Sequence, residues 1–183
     1  MKKLIGAALV AAAGAVASAD PVDVTYTVSG SSGNWTLDFS VTNNLNPADM
    51  DVYFFGVYLD SGRDIVGSPA FYDPNAWTVW DNSGYGGSNT QYNNNWIDLS
   101  TFSALLPGQT LSGFQARSTD AAKPTSVPWF AFGYSLSGGA YQGTGYFNAD
   151  WNPGFEGIAH EIPAPGALAA LGLVGLAATR RRR

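Results

Sequence analysis

The sequence predicts an all-β fold, an antiparallel β-sandwich of the jelly-roll or immunoglobulin-like kind, and three observations carry that expectation. Strict apolar/polar alternation opens the body of the chain, the mark of strands with one buried and one wet face. Two later runs are apolar on both faces, as central strands are. Gly, Pro and Asn clusters separate these runs, and no ten-residue stretch of the body shows a helical stripe.

In order, Val22, Val24, Tyr26 and Val28 fall on one face, with Asp23, Thr25, Thr27 and Ser29 on the other. After Gly30-Ser31-Ser32-Gly33 the pattern repeats with Trp35, Leu37, Phe39 and Val41, which predicts an antiparallel hairpin. Asn43 to Pro47 breaks the chain, and Val52 to Leu59, apolar on both faces, is expected as a central strand. Shorter strands are expected at Ala76–Trp80 and Asn95–Leu99. Leu106-Pro107-Gly108 places Pro and Gly at the central positions of a type II turn. That turn leads into Thr110–Ser118, where Gly113 interrupts the alternation and predicts a bulge. Pro128–Tyr134 is a second buried-type strand, and Ala140–Phe147 is expected to close the sheet. A domain of this size buries about 68% of its extended-chain surface, enough for a core without disulfides.

Charge narrows the function classes. Between Asp20 and Ile162 the basic residues are Arg63, Arg117 and Lys123, against fourteen acids, a formal charge of −11. All 25 aromatic residues lie in the same segment. Nucleic-acid binding is excluded, because phosphate neutralisation needs clustered Lys and Arg. The absence of Cys excludes a disulfide framework, a Cys-ligated metal and a thiol nucleophile.

The two ends read as addresses. Lys2 and Lys3, the apolar stretch Leu4 to Val16 and the small-residue pattern at Ala17 and Ala19 make residues 1–19 a cleavable signal helix, so the chain is expected to be exported. Residues 20–161 form the sandwich domain, and residues 162–183 form a tail. In the tail Pro163-Ala164-Pro165-Gly166 breaks the chain, Ala167 to Thr179 is a short apolar helix outside the fold, and Arg180, Arg181, Arg182 and Arg183 close it. An apolar segment followed by four arginines is a stop-transfer pattern that leaves the body outside the cytoplasm.

A signal, a Pro-x-Pro breaker, a small-residue apolar helix and a terminal Arg cluster together resemble the PEP-CTERM sorting tail of exported bacterial proteins. The resemblance covers Ile162 to Arg183, with Ala164 where the family has Glu. It implies an exosortase-like processing enzyme as partner, a transient inner-membrane intermediate, and delivery to the cell surface or extracellular matrix. The function so implied is structural or adhesive rather than enzymatic, with extracellular polysaccharide as a further partner. A lectin-like carbohydrate-binding module is the alternative, and a small glycoside hydrolase comes third.

The body offers little chemistry of its own. His160 is the only histidine and falls just before the proline breaker, in an expected tether, so no catalytic triad can be assembled and no catalytic residue is assigned. No cofactor is expected unless calcium binds the clustered loop carboxylates Asp60 and Asp64, since Ca²⁺ collects six to eight oxygens. Trp77, Trp80, Tyr92 and Trp96, set among Asn and Gly, are the candidate sugar-stacking residues. The odd spacing of Trp77 and Trp80 sends one of that pair into the core.

Overall fold

The computed structural model describes residues 20–46, 50–69, 77–80, 92–99, 104–135, 137–147 and 152–163. Nine strands are assigned among them and no helix: β1 (Val22–Ser31), β2 (Asn34–Asn43), β3 (Asp51–Val57), β4 (Ile65–Gly67), β5 (Trp77–Trp80), β6 (Asn94–Asp98), β7 (Thr110–Ser118), β8 (Val127–Tyr134) and β9 (Gly154–Glu161). The spatial order is β4-β7-β2-β1-β9-β8-β3-β6-β5. The expected signal helix and tail helix lie outside the described residues.

The predicted hairpin forms along its whole length, with Val22 opposite Asn43 and Ser31 opposite Asn34. Its apolar stripe faces inward: Val22, Val24, Tyr26, Leu37, Phe39 and Val41 are all buried. The Pro-Gly turn is the type II turn that the sequence predicts. Gln109 N donates to Leu106 O at 3.0 Å, and Gly108 adopts φ of 80°, which a side chain would strain. Gly113 is the predicted bulge: Phe39 pairs with Phe114 but Ser40 pairs with Ser112, so Gly113 stands unpaired at φ of 100°.

Two expectations for the last part of the sheet are corrected. Ala140–Phe147 forms no strand. Its four-residue neighbourhoods are punctuated by Gly139, Gly143 and Gly145, and glycine gives a strand no side chain to pack. The closing strand is β9, within what the sequence suggested was the approach to a tether. Nor is the sheet purely antiparallel. The first part of β9, Gly154 to Ala159, pairs antiparallel with β8, and its end, His160 and Glu161, pairs parallel with β1.

By passing from β8 to β1, β9 joins two halves that fold face to face. Phe114 of β7 sits 5.0 Å from Phe55 of β3, 5.0 Å from Trp77 of β5 and 5.5 Å from Trp96 of β6. Those contacts define the sandwich core. Close packing at the junction selects a small residue in β9: a Cβ at Gly157 would sit about 3 Å from the indole of Trp129.

As expected of a central strand, β3 is buried on both sides. Its outward residues join a second aromatic cluster of Phe54, Tyr92, Phe130 and Phe132, with Tyr53, Tyr58, Trp80 and Phe147 packed against it. The outward side of the other half is hydroxylated instead. Ser40 and Ser112 share a hydrogen bond of 2.7 Å, and Thr42 and Thr110 one of 2.8 Å.

Asn43, at the end of β2, is buried and fully used. Its Nδ2 donates to Met50 O and Leu105 O, and its Oδ1 accepts from Leu45 N. One side chain therefore ties both ends of the β2–β3 connection to the β6–β7 connection through backbone groups.

Candidate functional site

The loops after β1, β3 and β7 gather at one end of the sandwich, the end from which the chain leaves after β9. Asn93 and Asn94 build the β3–β4 loop there. Asn93 Oδ1 accepts from Leu59 N at 3.0 Å and its Nδ2 donates to Leu59 O at 2.7 Å. Asn94 donates to Gly62 O and accepts from Asp64 N. Asn93 and Asn94, which flank the aromatic candidates Tyr92 and Trp96 in sequence, thus spend their amides on backbone groups and on each other. Asp64 then receives Arg117 through two hydrogen bonds, Nε to Oδ2 at 2.6 Å and an Nη to Oδ1 at 3.3 Å.

The β7–β8 loop is fixed against the hairpin turn and against β9. Gly33 N donates to Asp120 O, Ser32 Oγ donates to Ala121 O, and Tyr26 Oη donates to Pro124 O at 3.2 Å. Burial and the nearby Glu161 carboxylate push the Tyr26 phenol above its ordinary pKa, so it keeps its proton and its role as donor. Lys123 Nζ pairs with both oxygens of Glu161, at 2.7 and 2.8 Å. A cleft of about 410 Å³ opens between the two loops, walled by Tyr58, Asp60, Asp120, Lys123, Thr125 and Ser126 among others. A shallower groove alongside is lined by Val28, Trp35, Lys123, Glu161 and Pro163.

This end holds every basic residue of the body. Arg63, Arg117 and Lys123 stand with Asp60, Asp64, Asp120 and Glu161, close to electrical balance. Asp20, Asp23, Asp51, Asp98 and Glu156 lie toward the opposite end, at or near the start of β1, β3 and β9 and the end of β6, with no Lys or Arg among the described residues there. Sequence inspection showed the three cations as isolated residues. Their being the only ones in the body was the available signal.

The sequence-derived candidates are not brought together. Trp77 and Trp96 lie in the sandwich core, at 2% and 0% exposure. Trp80 and Tyr92 belong to the outward aromatic cluster, where Tyr92 is buried and donates from its hydroxyl to Trp129 O at 3.1 Å. Four rings divided between two clusters, three of them buried, make no shared platform for a sugar. Strand alternation decides this split: Trp77 and Trp80 take opposite faces, as their spacing predicts.

The two proposed calcium ligands both lie in the β3–β4 loop. Asp60 lines the cleft, whereas Asp64 is neutralised by Arg117 and is not among the cleft walls. Among the described residues no three His, Cys, Asp or Glu converge in a way that could hold a metal ion. His160 is exposed on β9 and paired through its backbone with Thr25. Pro163 is the last described residue. Ala17, Ala19, Ala164, Pro165, Arg180, Arg181, Arg182 and Arg183 lie outside the described residues.

No family model matches the chain, and no curated protein matches it. Among solved structures, the chain is similar to an uncharacterized protein from Nocardia farcinica with an immunoglobulin-like fold. The identity is 14% and the TM-score 0.42, over 73% of this chain and 96% of that one.

Proposed function

We propose that this is a non-enzymatic exported protein, a β-sandwich passenger with a structural or adhesive role at the cell surface or in the extracellular matrix. It is held in the inner membrane by its tail and sorted by exosortase-like removal of that tail. The observation that carries the reading is where the strands stop. Among the described residues the strands run from Val22 to Glu161, between the signal-like residues 1–19 and the apolar, arginine-ended residues 164–183 of the sequence. That order, signal pattern, β domain, stop-transfer pattern, is what a sorted passenger requires.

Two features favour a passive role. Among the described residues, the acids and the lone His160 form no general-base, nucleophile and oxyanion-donor set. The lectin-like alternative retains Trp80 alone of its four aromatic candidates, since Trp77, Tyr92 and Trp96 are buried.

The test is intact-mass measurement of protein recovered from the cell surface of a producing strain. Processing predicts a species that has lost residues 1–19 and Arg180 to Arg183. Surface protein that still carries the four arginines rejects exosortase-like sorting, and protein found only in the cytosol rejects export.

A further inference from the structure

From the placement of charge and the shortness of the link to the tail, we infer that the chain-exit end of the sandwich is its membrane-facing surface, resting against the headgroups of an anionic bilayer while the tail is in place. This inference rests on the proposed membrane role of the tail.

The link is short by covalent geometry. Glu161 ends β9, and Ile162 N still donates to Tyr26 O at 2.8 Å, so the body holds the chain up to Pro163. Only Ala164, Pro165 and Gly166 separate Pro163 from the apolar stretch that begins at Ala167. Four Cα steps span at most about 14 Å. With the apolar stretch at the hydrocarbon boundary, the exit end cannot stand farther from the headgroups than that.

At such a distance charge decides orientation. Screening at physiological ionic strength acts over about 8 Å, so the charges nearest the bilayer feel its surface potential and those at the far end do not. Among the described residues, the end next to the tail sets Arg63, Arg117 and Lys123 beside four carboxylates. The opposite end carries Asp20, Asp23, Asp51, Asp98 and Glu156 without a cation. A body of formal charge −11 would be repelled by anionic lipid in most poses. Tipping this sandwich onto its side brings acids toward the surface. Standing it on the exit end keeps them away and lets Arg63, at the tip of the β3–β4 loop, approach lipid phosphates.

The chain has no Cys, so single-cysteine labels report position cleanly. The chain from Asp20 to Arg183, without the signal-like residues 1–19, is reconstituted into phosphatidylcholine vesicles with or without phosphatidylglycerol, each containing a headgroup-linked quencher. A fluorophore is placed at Ala121→Cys, in the exposed β7–β8 loop, or at Ala140→Cys, exposed between β8 and β9. Flotation with the vesicles is read first. Floating protein whose Ala121 label is quenched several-fold more than its Ala140 label, with a gap that widens with phosphatidylglycerol and narrows with salt, is the expected result. Arg63→Glu should shrink the gap in anionic vesicles and leave it unchanged in neutral ones. Floating protein with equal quenching at the two labels, or a gap indifferent to lipid charge and to Arg63→Glu, overturns the inference and leaves the tail reading standing. Protein that does not float overturns the tail reading, and this inference with it.

Discussion

The two halves of the sandwich solve the same problem differently. In the β4-β7-β2-β1 half the strands β7, β2 and β1 each have one apolar face and one polar face, and the wet face is content with Ser–Ser and Thr–Thr pairs. In the β8-β3-β6-β5 half the outward face carries a second layer of rings. Phe54 lies 5.4 Å from Phe130 and 6.1 Å from Phe132, and Tyr92 lies 4.5 Å from Phe130. A strand buried on both sides contributes apolar area twice, but it also becomes intolerant of change on both sides.

Breaking the shared core should have the largest effect. Trp96 is stacked on Phe55 at 5.7 Å, abuts Phe114, and donates from its indole to Gly67 O. Trp96→Ala should cost about 3–5 kcal/mol, measured by denaturant unfolding. The outward layer can be probed by addition rather than removal. A Cβ at Gly56 would collide with Asn95 Oδ1 and the Phe130 ring, so Gly56→Ala should destabilise by about 1–3 kcal/mol. The glycine in the β1–β2 turn has no such neighbour to displace: Gly33, with φ of 78°, has only a backbone oxygen at 3.9 Å. Its cost to substitution is one of backbone strain instead.

Asn43 tests whether the loops at the end of β2 depend on a single side chain. Asn43→Ala removes the side-chain partners of Met50 O and Leu45 N and one of the two donors to Leu105 O, and should cost about 2 kcal/mol with protease cleavage appearing first in the β2–β3 loop.

Asp51 gives a pH signature. It begins β3 at 8% exposure, its Oδ2 has no hydrogen-bond partner, and burial raises its pKa above the ordinary carboxylate value. The folded state therefore keeps a proton that the unfolded state has lost, so this group's contribution to stability falls as pH rises from about 4 through the folded pKa. Asp51→Asn should raise the melting temperature by a few degrees near neutrality, the gain over wild type shrinking toward pH 4. The smallest effect belongs to the wet face: replacing Thr42 and Thr110 together by Val should change stability by no more than about 0.5 kcal/mol.

The contrast between halves also marks how far the sequence could be read. Alternation in β1 and β2 is a local property, and it named the buried residues one by one. The double-sided runs of β3 and β8 were equally plain, as were the Pro107-Gly108 turn and the bulge at Gly113. β9 was obscured because its inward positions are Phe155, Gly157 and Ala159, two of them small, among the polar Glu156, His160 and Glu161. Nothing local explains why a glycine belongs there. The reason is the Trp129 indole, 28 residues away in sequence, packed against it. For the same reason the Trp and Asn candidates looked available for a ligand: composition shows a ring or an amide, but not the Phe114 ring or the Leu59 backbone that already occupies it.

Taken alone, the amino-acid order determined the fold class, the hairpin and both central strands, because each depends on residues within a few positions of one another. Tertiary structure decided which tryptophans are core, how β9 joins the two halves, and that Arg63, Arg117 and Lys123 meet at the end where the chain departs. Those outcomes depend on contacts between segments that are distant in sequence, and no local period records which distant partner a residue will meet.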